Sequence, residues 1–363
     1  MAFITIGIPT YNRSQFLIET LRSVQHQDYA DIEILIADNA SSDDTACICE
    51  QLAKNDKRIR YIRNPENLGM AGNWKRIAEL TTTPYLKYLM DDDLLLPGCI
   101  SAFAEVARRV PELSLIACLA VGFRDGSELA IMPQPIYAPE SSIPGRVIGQ
   151  FLVRWSNQLG CPTNIMYRTD ALRQVVTVWD NVPNQIWTSD ILAMLKVLDL
   201  GNFLCINRPL VAIRQHTGSG TSSLNTQPGA RETFRQEKEL LKEFAHLAGD
   251  ESSDLAFVEL NDARHAFLRA VTFLYRRDFP ESLYYFNYWR SSPYAWRSLR
   301  LAVQMNWGGL VPESVWVVAR FIKHALHLKH KPFVLQPSQF PASNTFRFRV
   351  TGMCEFWNCD GYL

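Results

Sequence analysis

The amino-acid sequence predicts an α/β fold: a doubly wound, mixed sheet with helices on both faces, followed by a helical C-terminal region. Over residues 1–120, short β-branched runs alternate with segments whose apolar residues recur at helical spacing. From residue 229 the periodicity is helical. We therefore expect a sheet domain over 1–220 (halves 1–120 and 121–220), a helical region over 229–331, and a tail over 332–363 to which no structure is assigned.

The elements of the first domain are predicted in chain order. Strands are expected over 3–8, 32–37, 59–62, 85–90 and 115–121. Helices are expected after a Ser14 cap, after the acidic stretch 42–44, over 71–80 and over 188–198. Strand–helix–strand units connect by right-handed crossovers, so the carboxyl ends of their parallel strands meet at one edge, where ligands bind.

Composition excludes several classes of protein. The chain has 363 residues, of which 37 are basic and 37 acidic, so we expect no nucleic-acid partner. No run of about 18 uncharged apolar residues occurs, and the start MAFITIGIPTYNR lacks signal-peptide features. The 8 cysteines form no CxxC pair. We expect reduced thiols and a cytoplasmic location.

The clearest chemical signal is the run Asp91, Asp92 and Asp93, which follows the apolar strand YLKYLM. Adjacent carboxylates repel one another, and a divalent cation relieves that repulsion. Hard oxygen ligands suit Mn²⁺ or Mg²⁺, which commonly bridge carboxylates to substrate phosphates. A solvated acidic turn is the alternative, but the position at a strand end favours binding of metal and nucleotide.

Two further polar clusters end strands. Asp38 could accept a hydrogen bond from a nucleotide base or cap the next helix, and the sequence leaves both roles open. The backbone and side chains after the first strand could hold a base, although a plain loop would look similar; these residues are Pro9, Thr10, Tyr11 and Asn12. No GxGxxG, P-loop or GxSxG motif occurs.

Taken in order, four segments resemble the family 2 glycosyltransferases, whose fold is called GT-A. They are IGIPTYNR at the start, EILIADNASSDDT at 33–45, NPENLGMAGNWKRI at 64–77 and YLMDDDLLLPG at 88–98. Each motif is weak alone, and the order and spacing of the four make the resemblance specific. It covers about residues 3–215 and implies a nucleoside-diphosphate sugar as donor, bound by the half 1–120.

The resemblance also implies roles for single residues. Thr10, Tyr11, Asn12 and Asp38 match positions that hold the base, and Asn67 and Gly69 match the NxG segment near the donor. The acidic run matches the DxD region, with Met90 at the usual first aspartate. Asp91 is then expected near the ribose, Asp92 matches the metal ligand, and Asp93 stands beside it on the metal or acceptor side.

Three residues of the half 121–220 complete the implied site. Asp190 matches the general base of the family's Glu-Asp motif, with Ser189 in place of the glutamate. An ordinary aspartate at a helix N-terminus is the alternative. Arg214 and His216 resemble an R-x-H segment that precedes a mobile loop, and either could stabilise the departing diphosphate. The spacing of Gln150, Arg154 and Trp155 differs from the Q-x-x-R-W motif of processive members, so we expect single-sugar transfer.

The C-terminal region combines basic and aromatic residues. Residues 290–331 contain seven Lys or Arg, one acidic residue (Glu313), and tryptophans at 296, 307 and 316. Basic amphipathic helices with tryptophan suit an anionic membrane surface, whereas a helix packed on the protein is the alternative. We expect peripheral contact of 290–331 with the inner face of the plasma membrane, where a lipid-linked acceptor would lie.

These observations predict a metal-dependent, inverting glycosyltransferase of bacterial surface-polysaccharide synthesis, such as that of O-antigen or capsule. A glycan or lipid-linked saccharide is the expected acceptor. Two alternatives remain. A nucleotidyltransferase would release pyrophosphate, and it normally shows a glycine-rich signature where this chain has PTYNR. A non-catalytic nucleotide- or glycan-binding protein could share the scaffold.

Overall fold

A computed structural model of the chain describes residues 2–125, 130–131, 142–149, 161–180, 189–216, 231, 251–275 and 277–299. The described residues fall into two compact units. One holds those up to residue 231 and contains the sheet; the other holds those from 251 onward and is helical.

Within the described part of the first unit, ten strands form one mixed sheet. They are β1 (Ile4–Thr10), β2 (Ile32–Asp38), β3 (Ile59–Arg63), β4 (Tyr85–Tyr88), β5 (Leu94–Leu95), β6 (Leu113–Phe123), β7 (Ala130–Ile131), β8 (Ile143–Pro144), β9 (Ile165–Arg168) and β10 (Asn202–Arg214). Their order is β3-β2-β1-β4-β9-β6-β10-β5, with β7 beside β6 and β8 beside β10.

The strand directions bring distant parts of the chain to one edge of the sheet. β1 is parallel to β2 and to β4, and β2 is parallel to β3. β9 is antiparallel to both β4 and β6, and β10 is parallel to β6. The carboxyl ends of β1, β2, β4, β6 and β10 therefore meet at the same edge.

Helices cover both faces of the sheet, as the sequence predicts. The longer helices described in this unit are α1 (Ser14–Gln25), α2 (Thr45–Asn55), α3 (Gly69–Leu80), α4 (Cys99–Arg109), α5 (Thr169–Val175) and α6 (Ser189–Leu198), and residues 145–149 add a short helical segment after β8. Apolar side chains of α1 and α4 share a buried core with Ile4, Ile6 and Ile8 of β1. On the other face, α3 comes so close to β1 that a Cβ on Gly7 would lie 2.5 Å from Ile77 Cγ2.

Some element boundaries differ from the prediction. β4 ends at Tyr88 rather than at residue 90. The Leu89 amide still donates to the Gly7 carbonyl at 3.0 Å, but the Met90 amide donates to the side chain of Thr163 at 3.1 Å and not to a neighbouring strand. α1 begins at Ser14 itself, so Ser14 is not a cap; its amide instead donates to Asp43 Oδ2 at 3.1 Å. α3 begins two residues earlier than predicted, at Gly69.

The second unit contains two described helices, α7 (Glu251–Tyr275) and α8 (Phe279–Ser291), which pack on each other. Asp278 caps α8 by accepting from the Glu281 amide at 3.3 Å. Tyr285 stacks on Phe273 with ring centroids 5.6 Å apart. In the described residues we find no helix long and apolar enough to cross a bilayer. The predicted mobile loop from 217 and most of 290–331 lie outside them.

Candidate active site

One threonine anchors the acidic turn after β4 (Asp91, Asp92 and Asp93). The Thr20 hydroxyl of α1 donates toward the carbonyl oxygens of Asp91 and Asp93, which lie 3.0 and 2.9 Å away. The Asp93 amide donates to the Met90 carbonyl at 3.1 Å and closes the turn. These bonds fix the backbone from which the three carboxylates project.

Asp93 is buried, and its carboxylate is bound internally. Its Oδ2 accepts from Thr163 Oγ1 at 2.6 Å, and its Oδ1 accepts from the Arg214 amide at 3.0 Å. Burial, and then the charge of Asp92, raises the pKa of Asp93. Asp93 therefore joins the acidic turn to the segment before β9 and to the end of β10.

Asp92 contacts an arginine and a histidine from distant parts of the chain. Its Oδ2 accepts from Arg13 Nη1 at 2.6 Å and lies 3.0 Å from His216 Nε2. The Phe16 ring packs against the imidazole, with centroids 4.8 Å apart. The side chains of His216 and Asp92 remain 18% and 15% exposed, so a ligand can reach both of them.

Asp91 contacts the loop that follows β1. The Thr10 hydroxyl and the Tyr11 amide lie near enough to its carboxylate to lower its pKa, although Thr10 Oγ1 makes no hydrogen bond in the described structure. Burial, and then the charge of Asp92, raises the pKa of Asp91 to about 7, and Arg13 offsets part of this rise. Burial is thus the larger cause of the raised pKa values of Asp91 and Asp93, and the charge of Asp92 adds a repulsion that a bound cation would relieve.

Arg214, the last residue of β10, is buried beneath the same turn. Its Nε donates to the Asp92 carbonyl at 2.9 Å. The other guanidinium nitrogens pair with Glu19 of α1 and with Asp125 after β6, and the group lies 4.6 Å from the centroid of the Phe123 ring. Through these partners Arg214 connects the end of β10 to the acidic turn, to α1 and to the segment after β6. Its contact with a diphosphate stays a prediction.

The loops after β1 and β2 are bonded to each other. The Asn12 amide donates to Ser41 Oγ at 2.9 Å, and Asn12 Oδ1 accepts from the Ser42 amide at 2.7 Å. Asn12 adopts φ 51, a left-handed conformation that asparagine tolerates better than most residues. Tyr11, between Thr10 and Asn12, leaves its ring exposed beside these loops.

Asp38 at the end of β2 is fully buried, and its carboxylate accepts a hydrogen bond from the loop that follows it. Its Oδ1 accepts from the Ser41 amide at 2.8 Å, so it caps this turn rather than a helix. Its Oδ2 accepts from the Tyr61 hydroxyl at 2.7 Å, with Arg63 Nη1 at 3.5 Å. Burial, and then this bond, raises the pKa of Tyr61. Asp38 Oδ1 has a second lone pair beyond its bond to Ser41, and a contact to a base stays a prediction.

Asparagine side chains hold the loop after β3 in place. Asn39 Nδ2 donates to Asn67 Oδ1 at 2.7 Å and to the Gly69 carbonyl at 3.1 Å. Asn67 Oδ1 also accepts from the Gly69 amide at 2.9 Å. Gly69 has φ 72, which favours glycine at this position. The predicted NxG segment is thus bonded directly to the end of β2.

A second asparagine pair extends this network into α3. Asn64 Nδ2 donates to Asn73 Oδ1 at 2.9 Å and to Asn39 Oδ1 at 3.1 Å. Asn73 Nδ2 donates to the Ala37 carbonyl at 2.9 Å. No role is predicted from the sequence for Asn39, Asn64 or Asn73. Asn64 and Asn73 stand in the same motif, NPENLGMAGNWKRI, as the predicted Asn67, and that motif is the signal that points to them.

Asp190 lies in the first turn of α6 and is 9% exposed. Its Oδ1 accepts from the Ile191 amide at 2.8 Å. Burial, and then the charge of Asp190, raises the pKa of Tyr167 on β9, which places the carboxylate near that strand. The role of Asp190 as general base stays a prediction.

The structure brings one group of predicted residues together at the sheet edge: Thr10 at the end of β1 with Tyr11 and Asn12 after it, Asp38 at the end of β2, the acidic turn, Arg214 at the end of β10, and His216 after it. Pro9 lies within β1 itself. The sequence analysis did not identify Thr163, Thr20 or the side chain of Arg13. No local pattern marks the two threonines, whereas Arg13 stands within the PTYNR motif.

The described residues contain no cluster of three His, Cys, Asp or Glu side chains able to bind a metal. The Asp92–His216 pair nevertheless has the separation of two neighbouring ligands. Bonds of about 2.1 Å to a cation place adjacent ligands about 3 Å apart in octahedral geometry. Asp92 Oδ2 and His216 Nε2 are 3.0 Å apart. This spacing is also that of a hydrogen bond, and it would suit one carboxylate and one imidazole beside a cation whose other ligands are substrate phosphates and water.

Solved structures share the fold. The structure of residues 1–349 of S. aureus TarS in complex with UDP superposes with a TM-score of 0.57 at 15% identity, covering 97% of this chain and 99% of that chain. The same TarS segment in complex with UDP-GlcNAc gives a TM-score of 0.56 at 15% identity, over 95% of this chain and 99% of that one. The chain thus has the GT-A fold that its motifs predicted.

The family follows from the sequence comparison. The model of glycosyl transferase family 2 matches residues 5–176, so the chain carries a family 2 glycosyltransferase domain, as its motifs predicted.

Two relatives are the GalNAc(5)-diNAcBac-PP-undecaprenol beta-1,3-glucosyltransferase of Campylobacter jejuni and the putative colanic acid biosynthesis glycosyl transferase WcaA of Escherichia coli. The first is 35% identical over 108 residues, 30% of this chain and 35% of that protein. The second is 29% identical over 158 residues, 42% of this chain and 57% of that protein. The chain therefore spans about a third to just over half the length of these relatives.

Proposed function

We propose that the protein transfers a single sugar from a nucleoside-diphosphate sugar to a hydroxyl of a glycan or lipid-linked saccharide. The observation that carries the proposal is the meeting of Asp92, His216 and the loops after β1 and β2 at one edge of the sheet. In a sheet of this kind that edge is where ligands bind. The relatives named for lipid-linked glucosyl transfer and colanic acid synthesis support an acceptor of the bacterial surface-polysaccharide class.

We assign the divalent cation, Mn²⁺ or Mg²⁺, to Asp92 and His216. Asp93 was predicted as a second ligand, and its internal bonds to Thr163 and Arg214 favour a role in holding Asp92 in position. When bound, the cation would neutralise the charge that develops on the departing diphosphate. Asp91 is the acidic residue nearest Thr10 and the Tyr11 amide, which supports its expected place near the ribose.

The chemistry requires a carboxylate that removes a proton from the acceptor hydroxyl, and we assign this role to Asp190. The acceptor oxygen then attacks the anomeric carbon as the bond to the diphosphate breaks, so a single displacement inverts the configuration. Asp170 provides an internal comparison, because its Oδ1 accepts from the next amide in the first turn of α5. The side chain of Asp170 is 69% exposed, whereas Asp190 is buried beside Tyr167. A simple dipole contact needs no such burial.

A thermal-shift screen of nucleoside diphosphates, with and without Mn²⁺, identifies the donor base, because ligand binding raises the melting temperature. UDP is the first candidate, since TarS was solved with UDP. A donor assay then determines the leaving group. Release of a nucleoside diphosphate supports glycosyl transfer, release of pyrophosphate indicates a nucleotidyltransferase, and no turnover with any donor favours a binding protein.

The Asp190→Asn variant tests the general base, with Asp170→Asn as its matched control. We expect Asp190→Asn to lower kcat for transfer at least about a hundredfold, the usual contribution of a general base, while donor affinity stays unchanged. Asp170→Asn should keep wild-type kcat. Full transfer activity in Asp190→Asn would show that another group removes the proton.

A further inference from the structure

Helix α8 has two apolar faces, of which only one is buried. Ser282, Tyr285 and Trp289 form the buried face. Phe279, Leu283 and Phe286 follow each other at i, i+4 and i+7, and are 63%, 59% and 42% exposed. A helix that is apolar on both sides normally has both sides covered. This second face of α8 therefore indicates a binding surface.

Trp296 adds a tryptophan to this surface. It is 77% exposed and packs edge-on against Trp289, with ring centroids 5.8 Å apart. Trp289 in turn contacts Phe286, with centroids 5.4 Å apart. Trp296 is thus held next to the exposed stripe of α8 by packing. We call Phe279, Leu283, Phe286 and Trp296 the aromatic face.

Two exposed arginines border the aromatic face. Arg290 stands four residues after Phe286 and so continues the same line of the helix, and Arg297 follows Trp296 directly. In sequence this bias continues beyond α8, because residues 290–331 hold seven basic residues and one acidic residue. Apolar side chains, an exposed tryptophan and arginines on one surface are the composition of helices that lie in a bilayer interface.

We propose that the aromatic face is a docking surface for anionic phospholipid. Phe279, Leu283 and Phe286 enter the boundary between headgroups and acyl chains, Trp296 lies at headgroup level, and Arg290 and Arg297 bind lipid phosphates. This inference rests on the proposed function in one respect: lipid docking would bring the enzyme to a lipid-linked acceptor. Binding to lipid itself requires neither donor nor metal.

The test is co-sedimentation of the full chain with vesicles, without metal or donor. The vesicles contain either phosphatidylcholine alone or phosphatidylcholine with phosphatidylglycerol. We expect binding to the anionic vesicles that weakens with salt. The double variant Phe279→Ser/Phe286→Ser should lower the partition coefficient at least about tenfold. Arg290→Gln/Arg297→Gln should lower it about fivefold per arginine on anionic vesicles only.

Leu200→Ser is the matched control, because it removes an exposed leucine from the sheet unit. It should leave the partition coefficient unchanged. Circular dichroism and thermal shift with nucleoside diphosphate and Mn²⁺ should stay at wild-type values in every variant, which separates this test from that of the transfer site. Wild-type lipid binding in the Phe279→Ser/Phe286→Ser variant would overturn the proposal. The absence of vesicle binding by the wild type would also overturn it. So would a result in which the Phe279→Ser/Phe286→Ser variant loses only self-association, measured by sedimentation velocity, because the partner of the aromatic face would then be a second copy of the chain.

Discussion

Arg214 carries the positive charge beneath the acidic turn. It bonds to the Asp92 carbonyl, pairs with Glu19 and Asp125, and through its amide holds Asp93. A cation so placed lowers the cost of gathering carboxylates at this edge. We therefore treat Arg214 as a positioning residue for Asp92 and assign contact with the ligand to His216.

The Arg214→Met variant keeps most of the side-chain volume and removes the charge. We expect the free energy of unfolding to fall by about 2 kcal/mol, less than for a fully buried pair because Glu19 and Asp125 can be rehydrated. Arg146→Met is the control, since Arg146 pairs with Asp199 at the surface and should contribute at most about 0.5 kcal/mol. Urea denaturation measures both, and equal losses would contradict the assignment.

At the scale of single residues, the sequence predicted where the acidic turn lies but not how its side chains are oriented. A strand-end position and three adjacent carboxylates suffice to predict a buried, electrostatically strained turn. That Asp93 faces inward depends on Thr163 and Arg214, which are 70 and 121 residues away. Such long-range partners leave no pattern in the local sequence.

At the scale of elements, one aspartate after α2 bonds to the end of α1 and to the residue before β3. Asp56 follows α2, and its carboxylate accepts from Arg58 Nε at 3.0 Å and from Arg58 Nη2 at 2.8 Å. It also accepts from the side chain of Gln25, the last residue of α1, whose Nε2 lies 3.2 Å away. The hydrogen bond from Arg58 is the largest influence and lowers the pKa of Asp56 to about 2.

This lowered pKa predicts a pH-dependent contribution to stability. An aspartate whose folded pKa lies below its unfolded value stabilises the fold above the unfolded value, and the contribution is lost as pH falls through the folded value. Asp56→Asn should therefore cost at most about 1 kcal/mol at pH 7, since the pair is partly solvated. The difference from wild type should shrink between the ordinary pKa of 3.8 and about 2. Denaturation at a series of pH values measures it, and a constant difference would contradict this origin.

The short helix at 145–149 begins at a glycine that packs closely against the backbone at the end of α6 and just after it. A Cβ on Gly145 would collide with the backbone carbonyl oxygens of Leu198 and Gly201, which cannot move as a side chain can. We expect Gly145→Ala to lower the free energy of unfolding by about 3 kcal/mol, as for severe overpacking.

Gly149→Ala is the matched control in the same short helix, because its nearest neighbour would be Leu195 Cδ2 at 3.8 Å. It should leave stability unchanged or raise it by up to about 1 kcal/mol. Thermal denaturation of the two variants measures the contrast. Equal melting temperatures would show that α6 and the segment after it can shift to accept a methyl group.

Elements were predicted best where periodicity alone defines them. β1, β2, β3 and the helices between them follow alternating runs, and their bounds are within two residues of those expected. β9 and the long bulged pairing of β10 with β6 were not anticipated strand by strand. Antiparallel insertion of β9 between β4 and β6 is decided by tertiary packing, which the local pattern does not report.

On the scale of the whole molecule, the chain combines a family 2 glycosyltransferase domain with a helical unit. Fold and family could be predicted because four motifs occur in order within the first hundred residues. The exposed face of α8 could not, because its stripe becomes apparent only when a different face of the same helix is seen to pack on α7. The sheet edge and this face account for donor binding and lipid binding respectively under the proposals made above.

Electron paramagnetic resonance of Mn²⁺, titrated with the nucleoside diphosphate that the thermal-shift screen selects, tests the central claim most directly. The wild type should bind Mn²⁺ at least about tenfold more tightly with the nucleotide than without it, because phosphate oxygens complete the coordination begun by Asp92 and His216. Asp92→Asn should lose at least about tenfold of that affinity, the scale of a lost metal interaction, and Asp170→Asn should lose none. Undiminished Mn²⁺ affinity in Asp92→Asn would contradict a cation site at this edge of the sheet.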